Sequence, residues 1–164
     1  MTAITTILQA RTSSSRLPGK VLMELHGAPM LARQVERLRR AQHLGRLVIA
    51  TSDAPADDAL EALAKQIGVE CVRGPLDDVL RRYAIAAERF PSDHVVRVTG
   101  DCPLADPEVF DLVVSRHLDS GADYTSNTIP PTFPDGLDVE VVKASLLLEA
   151  DRLADRPSER EHVT

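Results

Sequence analysis

The chain has 164 residues, with 19 Lys and Arg against 25 Asp and Glu, and a formal net charge of −6. At about 150 residues per domain this is one domain with a single core, and 43% hydrophobic with 27% charged residues excludes a disordered chain. Aromatic residues at 3%, with no Trp, undersupply a stacking platform for single strands; the acidic balance opposes duplex binding, which draws on Lys and Arg, so no nucleic-acid partner is expected.

Two cysteines, Cys71 and Cys102, are too few for a disulfide framework and fit a reduced compartment. The opening MTAITTILQAR carries no basic leader before its apolar run, and no stretch approaches the ~18 apolar residues that would span a bilayer. A cytoplasmic protein with no membrane partner is the expectation.

Strand and helix patterns alternate from the start. Ile4 to Leu8 reads as a buried strand running into a Ser, Pro and Gly loop. Leu31, Val35 and Leu38 follow helical spacing after Pro29, with Gly45 as the stop. Arg46 to Thr51 is a second strand. Leu60, Leu63, Ala64 and Ile67 mark a second helix ended by Gly68, and Val69 to Val72 is a short third strand. Val79, Tyr83 and Ala87 fit a third helix, with Asp77 and Asp78 at the positive end of its dipole. His94 to Thr99 is a fourth strand. Asp106-Pro107 caps and starts a helix whose inner face is Phe110, Val113, Val114 and His117. The proline-rich segment 126–136, SNTIPPTFPDG, reads as a loop. An alternating strand, Leu137 to Val141, and a helix from Ala144 to Leu153 follow it.

Four consecutive strand-helix units call for parallel strands with right-handed crossovers, hence an α/β fold: a three-layer α/β/α sandwich around a mostly parallel, Rossmann-like sheet. In such sheets ligands bind beyond the carboxyl ends of strands, where the strand order reverses. The loops after the first and fourth strands are therefore where chemistry is expected.

The first of these, Ala10-Arg-Thr-Ser-Ser-Ser-Arg-Leu-Pro-Gly-Lys20, gathers Arg11, Arg16 and Lys20 with four hydroxyl residues. Cations, hydroxyls and free backbone N–H groups directed at one point suit a triphosphate; the plainer alternative is a solvated basic loop. Neither G-x-G-x-x-G nor G-x-x-x-x-G-K-[ST] is present, which disfavours a dinucleotide fingerprint and a P-loop. The second, Thr99-Gly-Asp-Cys-Pro-Leu104, puts Asp101 directly after a strand and beside a Gly that permits close approach by a ligand. Opposite a triphosphate, Asp101 is a natural Mg²⁺ ligand, because that cation takes one or two carboxylates plus phosphate oxygens. Asp138 or Glu140, on one face of the alternating strand, could supply a second carboxylate; Asp138 is favoured because it lies nearer the Pro-Asp-Gly turn, and the plainer reading is the polar face of an edge strand. Cys102 has nothing nearby to activate it and reads as packing.

Together, I-L-Q-A-R-T-S-S-S-R-L-P-G-K, L-H-G-A-P-M-L, V-I-A-T-S, R-G-P-L-D-D-V-L-R-R-Y, V-T-G-D-C-P-L, S-G-A-D-Y-T-S-N-T, P-D-G-L-D-V-E-V and S-E-R-E-H-V-T resemble the cytidylyltransferases that make CMP-sugars, such as CMP-Kdo synthetase, and in particular their spore-coat-polysaccharide branch. The resemblance covers essentially the whole chain. It implies the nucleotide-diphospho-sugar transferase fold and transfer of a cytidylyl group from CTP to a sugar or sugar acid, with release of pyrophosphate, for surface polysaccharide synthesis. Carried over, Arg11, Arg16 and Lys20 would hold the triphosphate, with Ala10, Ser15, Ala50, Thr51, Asp53 and Thr99 lining the nucleotide pocket. Arg16, Lys20 and Asp101 would carry catalysis and Asp101 would bind Mg²⁺; Asp138, the favoured second Mg²⁺ carboxylate, is placed by the resemblance toward the sugar. Arg73, Asp78, Arg82, Asn127 and Asp135 would lie toward the sugar.

CMP-Kdo synthetases carry Gln-Gly-Asp-Glu-Pro where this chain has Thr99-Gly-Asp-Cys-Pro, so base contacts and sugar choice do not transfer from them. The chain, read as one nucleotidyltransferase domain over 1–164, stops where the resembling proteins continue through a C-terminal segment used partly in dimerisation. The resemblance thus implies a homodimer, and residues 158–164 read as an interrupted motif. A glycosyltransferase of the same sheet would want D-x-D after the fourth strand, which Asp101-Cys-Pro does not provide; a nucleotide-binding module without turnover is the non-enzymatic alternative. Elsewhere, Arg37, Arg39 and Arg40 read as a solvated helix face, Asp57 and Asp58 as favouring the second helix's N-terminus and nothing more, and His117 and Tyr83 as core. The five histidines lack metal-ligand spacing, and only His162 carries a functional expectation.

Overall fold

The computed structural model describes residues 2–14 and 16–163. Strands β1 (Ile4–Gln9), β2 (Glu24–Leu25), β3 (Ala28–Pro29), β4 (Arg46–Ser52), β5 (Glu70–Gly74), β6 (His94–Thr99), β7 (Tyr124–Ser126) and β8 (Glu140–Lys143) are interleaved with helices α1 (Met30–Leu38), α2 (Asp58–Gln66), α3 (Val79–Arg89), α4 (Pro107–Ser120), α5 (Ala144–Leu153) and α6 (Pro157–His162). Six strands form one sheet in the order β5-β4-β1-β6-β8-β7. The first four are mutually parallel; β8 runs antiparallel to both β6 and β7.

Strand alternation sends successive side chains to opposite faces, and two cores result. Leu8, Ile49, Val96 and Val98 meet α1, α2 and α4 through Leu31, Val35, Leu60, Phe110 and Val114. Ile7, Val48, Val72 and Val95 meet α3 and α5 through Leu80, Tyr83, Ala87 and Leu147. The expected three-layer sandwich is therefore the fold. From β1 the chain proceeds outward to β4 and β5, then crosses to β6 on the other side of β1. This reversal places the ends of β1 and β6 side by side, with Gln9 opposite Thr99.

Several boundaries differ from the sequence expectation. The first helix ends at Leu38, well before Gly45, and the third strand is shifted to Glu70–Gly74. Residues Leu137 to Val139 alternate in polarity yet precede β8, because the Asn127 side chain satisfies their backbone: its amide donates to the Leu137 carbonyl at 2.8 Å and its Oδ1 accepts from the Val139 N–H at 2.9 Å. The β2–β3 hairpin and β7 are too short to show a period. In the hairpin, His26 and Gly27 both take positive φ, 52° and 79°, the conformation that a tight two-residue turn demands. The arginines on and after α1 are not merely solvated: Arg37 donates to the Ala105 carbonyl at 2.8 Å and Arg39 to the Ile67 carbonyl at 2.7 Å. Helix α6 starts on Pro157, and the Arg156 N–H just before it donates to Glu159 Oε2 at 3.4 Å.

His117 is wholly buried, as expected of a core histidine. Its Nε2 lies 2.8 Å from His94 Nδ1 and its Nδ1 lies 2.9 Å from Thr125 Oγ1, tying α4 to β6 and β7. Burial, and then the proximity of His94 and Lys143 against the opposing pull of Asp123, hold it below its ordinary value of 6.5. The unfolded chain therefore takes up this proton first, and stability falls as pH drops through and below about 6.5. Urea midpoints at pH 7.5, 6 and 5 should fall more steeply for the natural chain than for His117→Gln; parallel slopes would contradict the assignment.

Candidate active site

The loop after β1 is folded by its own backbone and pinned from below. The Ser14 and Gly19 N–H groups both donate to the Thr12 carbonyl, at 2.9 and 2.8 Å. Thr12 in turn is held by Asp57, whose Oδ1 accepts from its N–H at 2.8 Å and its hydroxyl at 2.6 Å. The second oxygen of Asp57 accepts from the Ser52 N–H at 3.2 Å and from the Ser52 hydroxyl. Asp57 is 1% exposed; burial works against its charge, but the hydrogen bonds from Ser52 and Thr12 outweigh it and hold the carboxyl below the usual range. So Asp57 does more than favour a helix N-terminus: it anchors the cationic loop to the end of β4. Nothing in its local sequence distinguishes it from Asp58, which pairs with Arg73 at 2.7 Å.

The loop after β6 meets the first loop at two points. The Gly100 N–H donates to the Gln9 carbonyl at 2.7 Å. A Cβ at Gly100 would stand 2.8 Å from both that oxygen and the Ala10 Cβ. The close approach that needs this glycine is therefore the neighbouring loop's, where the sequence suggested a ligand's. Next to it, Lys20 Nζ lies 2.8 Å from Asp101 Oδ2, with side-chain exposures of 24% and 41%. Burial presses the Asp101 carboxyl upward, yet hydrogen bonds from Lys20 and Thr99 and the ammonium charge carry it below the usual range.

Three connected hollows surround this contact. A central basin of about 230 Å³ is lined by Gln9, Ala10, Arg11, Ser14, Arg16, Lys20, Thr99, Gly100 and Asp101. It shares Arg16, Lys20, Thr99 and Asp101 with a cleft of about 890 Å³ that continues over Asp135 to Asp138. On its other side it shares Gln9 and Arg11 with a cleft of about 820 Å³, walled by Asp53, residues 75–79 and α6 and floored by Arg97. The cationic segment and Asp101 thus converge on one crevice with open volume on both sides.

The remaining expected residues divide by position. Ser15 lies outside the described residues. Arg11, Arg16, Lys20, Thr99 and Asp101 line the basin, and Ala10 contributes to its floor. Asp53 and Asp78 line the cleft toward α6, and Asp135 and Asp138 line the opposite one. Burial, then the negative charges of Asp135, Glu140 and Asp101, raise the Asp138 carboxyl above its ordinary value. Glu140, the alternative to Asp138, is engaged by Arg97 and by the Tyr124 hydroxyl at 2.9 Å.

Five expectations need correction. Ala50 and Thr51 are wholly buried within β4; Ala50 meets the loop only through its carbonyl, which accepts from the Ala10 N–H at 3.1 Å. Arg73 is turned away from all three hollows, donating to the Ser52 and Ala54 carbonyls at 2.9 Å and pairing with α2. Arg82 is fully buried and donates to the Pro75 and Leu76 carbonyls at 2.9 and 2.8 Å, bracing the cleft wall from behind. Asn127 is 6% exposed and spends its side chain on residues 137–139. Arg73, Arg82 and Asn127 are polar residues near the site whose side chains bond neighbouring backbone instead. Asp78 keeps its place in the wall, but caps α3 through the Arg81 N–H at 2.9 Å and pairs with Arg160 at 2.7 Å.

The sequence reading passed over Gln9, Arg97 and Arg160. Arg160 binds Asp78 and Asp151 and so holds α6 as a wall of the cleft that His162 also lines. No motif marks Arg97, an arginine inside an otherwise apolar strand, although a charge in such a run is itself a signal. Cys102 sits beside Asp101 with its thiol pushed up, by burial first, against the pull of Thr99, which fits packing and not nucleophilic attack. No described helix is long and apolar enough to cross a membrane.

Comparison with known proteins gives the family and the fold. The chain is 40% identical over 169 residues to the spore coat polysaccharide biosynthesis protein SpsF of Bacillus subtilis (strain 168), covering 100% of this chain and 69% of that protein. It is 35% identical over 132 residues to the 3-deoxy-manno-octulosonate cytidylyltransferase of Anaeromyxobacter sp. (strain Fw109-5), covering 79% of this chain and 52% of that one. The chain thus spans 52% to 69% of the length of these relatives. Among solved structures, a cytidylyltransferase from Leptospira borgpetersenii superposes with a TM-score of 0.94 at 35% identity, over 99% of this chain and 69% of that one. A CMP:2-keto-3-deoxy-manno-octonic acid synthetase complexed with CTP superposes at 0.72 with 18% identity, over 98% and 82%, which speaks to the fold alone. A family model described as Cytidylyltransferase matches residues 5–164; the chain belongs to the cytidylyltransferase family.

Proposed function

We propose that this chain transfers a cytidylyl group from CTP to a sugar or sugar acid and releases pyrophosphate, in the service of surface polysaccharide synthesis. The observation that carries the reading is the 2.8 Å contact of Lys20 with Asp101 in a basin bordered by Arg11 and Arg16 and opening into a cleft on each side. A nucleotide and an acceptor need two compartments, and a polyphosphate needs the cationic strait between them. The names of the relatives, which include a spore coat polysaccharide protein and sugar-acid cytidylyltransferases, supply the nucleotide and the acceptor class.

In this reading the acceptor oxygen attacks the α-phosphorus of CTP in line, and pyrophosphate leaves with the electron pair of the broken P–O bond. Charge grows on phosphoryl oxygens, so the chain's work is positioning and electrostatic stabilisation. Arg11 and Arg16 orient the triphosphate from the exposed rim, and Lys20 exchanges its carboxylate partner for phosphate oxygens on the leaving group. Asp57, through Thr12, keeps these groups from scattering. The hydrogen bonds from Lys20 and Thr99 keep the Asp101 carboxyl below the usual range despite its burial.

Magnesium belongs to this proposal. Among the described residues no cluster of three or more His, Cys, Asp or Glu side chains could hold a metal alone, which matches a cation that takes one or two carboxylates and completes its shell with substrate phosphates. Asp101 and Asp138 line one cleft, and Asp138 is burdened by neighbouring negative charge that a cation would relieve; these two would hold the ion. When bound, it supplies Lewis-acid polarisation of the phosphoryl oxygens.

Pyrophosphate release from CTP and Mg²⁺ with a panel of sugars and sugar acids is the direct assay. Lys20→Ala and Asp101→Asn should each lower turnover by roughly 10² to 10³-fold with an unchanged thermal midpoint; turnover at the natural level in a folded variant would remove that residue from its role. Asp138→Asn should raise the Mg²⁺ concentration needed for half-maximal rate by about tenfold, one lost charge-assisted contact. An identical Mg²⁺ titration would take Asp138 out of the metal shell.

A further inference from the structure

Gln9 ends β1 on the face that carries Ile7, so its side chain rises past Tyr83 toward the open end of the sheet. It borders both the cationic basin and the cleft walled by α6. Its amide has two ends of opposite character, and the surroundings decide which end faces where. Tyr83 is wholly buried, so its hydroxyl requires a partner, and it donates to Gln9 Oε1 at 3.4 Å. Arg97, also a donor, borders the same Tyr83 hydroxyl and is itself balanced by Glu140. With donors crowding one side, the oxygen of Gln9 belongs there. Its Nε2, which makes no other hydrogen bond among the described residues, presents two N–H groups to the hollows.

We infer that Gln9 is a nucleotide-binding residue whose Nε2 donates to an oxygen of CTP where the phosphate basin opens into the side cleft, and that Tyr83 is the positioning residue that fixes its orientation. Resting on the cytidylyltransferase reading, this adds a neutral, directional contact to the three cations of the basin. Arg11, Arg16 and Lys20 attract any polyphosphate; an amide locked in one orientation accepts only a ligand oxygen at one place. The chain thereby gains a means of registering the nucleotide along the trench, which charge alone does not provide.

The test compares Gln9→Glu, Gln9→Leu and Tyr83→Phe with the natural chain, by calorimetric titration with CTP and Mg²⁺ and, separately, with tripolyphosphate. Gln9→Glu keeps an acceptor for the Tyr83 hydroxyl, so it preserves that buried contact while removing the donor. The expected result is a Kd for CTP raised by about tenfold to a hundredfold in both Gln9 variants. Tyr83→Phe should give a smaller rise, with tripolyphosphate binding by Gln9→Leu changed less than CTP binding. Natural affinity for CTP in Gln9→Glu would overturn the inference alone, whether or not Gln9→Leu folds. No CTP binding by the natural chain would overturn the cytidylyltransferase reading and this inference with it.

Discussion

The contact between Lys20 and Asp101 joins the two loops on which the whole site depends. It exists because the sheet reverses its order between β1 and β6, so that two segments about eighty residues apart leave neighbouring strands side by side. A partly exposed ion pair of this kind contributes only about 0–1 kcal/mol to stability. Its value to the fold is small, and the energy that brings the loops together comes from elsewhere. Asp57 fixes the first loop to the end of β4, and the hydrogen bond from the Gly100 N–H to the Gln9 carbonyl ties the second loop to the end of β1. The pair is therefore free to be exchanged for other partners, a property that suits a site built to receive phosphates.

This separation between what holds and what acts recurs across the site. Arg82, Asn127 and Arg73 are polar, close to the clefts and bonded to backbone carbonyls or to α2. They give the walls their shape. Arg11, Arg16, Asp135 and Asp138 stand on the lining. The trench that results has a cationic middle and an acidic flank, a charge order that matches a polyphosphate lying beside a cation.

The architecture was legible from the chain because the longer strands and helices carry their own period or start signal: Ile4 to Leu8, the Leu60 and Leu63 spacing of the second helix, and the Asp106-Pro107 start all reappear where expected. The cationic loop and Asp101 were legible for a related reason, since a parallel sheet sends its loops to a known end. The failures have a common cause. Thr51, Arg82 and Asn127 were placed by the family resemblance, and whether such a side chain faces a cleft or turns into the core or onto neighbouring backbone is decided by tertiary packing. Leu137 to Val139 show the same limit: their alternation is real, but a side-chain amide replaces the strand partner they would otherwise need. Gln9 went unnoticed because its significance lies in Tyr83, seventy-four residues away.

The central claim is spatial, that one trench across the ends of β1 and β6 holds the nucleotide with its phosphates on the first loop and a divalent cation at its acidic flank. A crystal structure with CTP and Mn²⁺ tests it most directly. Phosphate density is expected against Arg11, Arg16 and Lys20, with the Lys20–Asp101 contact opened and an anomalous peak beside Asp101 or Asp138. Nucleotide bound elsewhere on the molecule, or a metal peak that touches neither carboxylate, would contradict it.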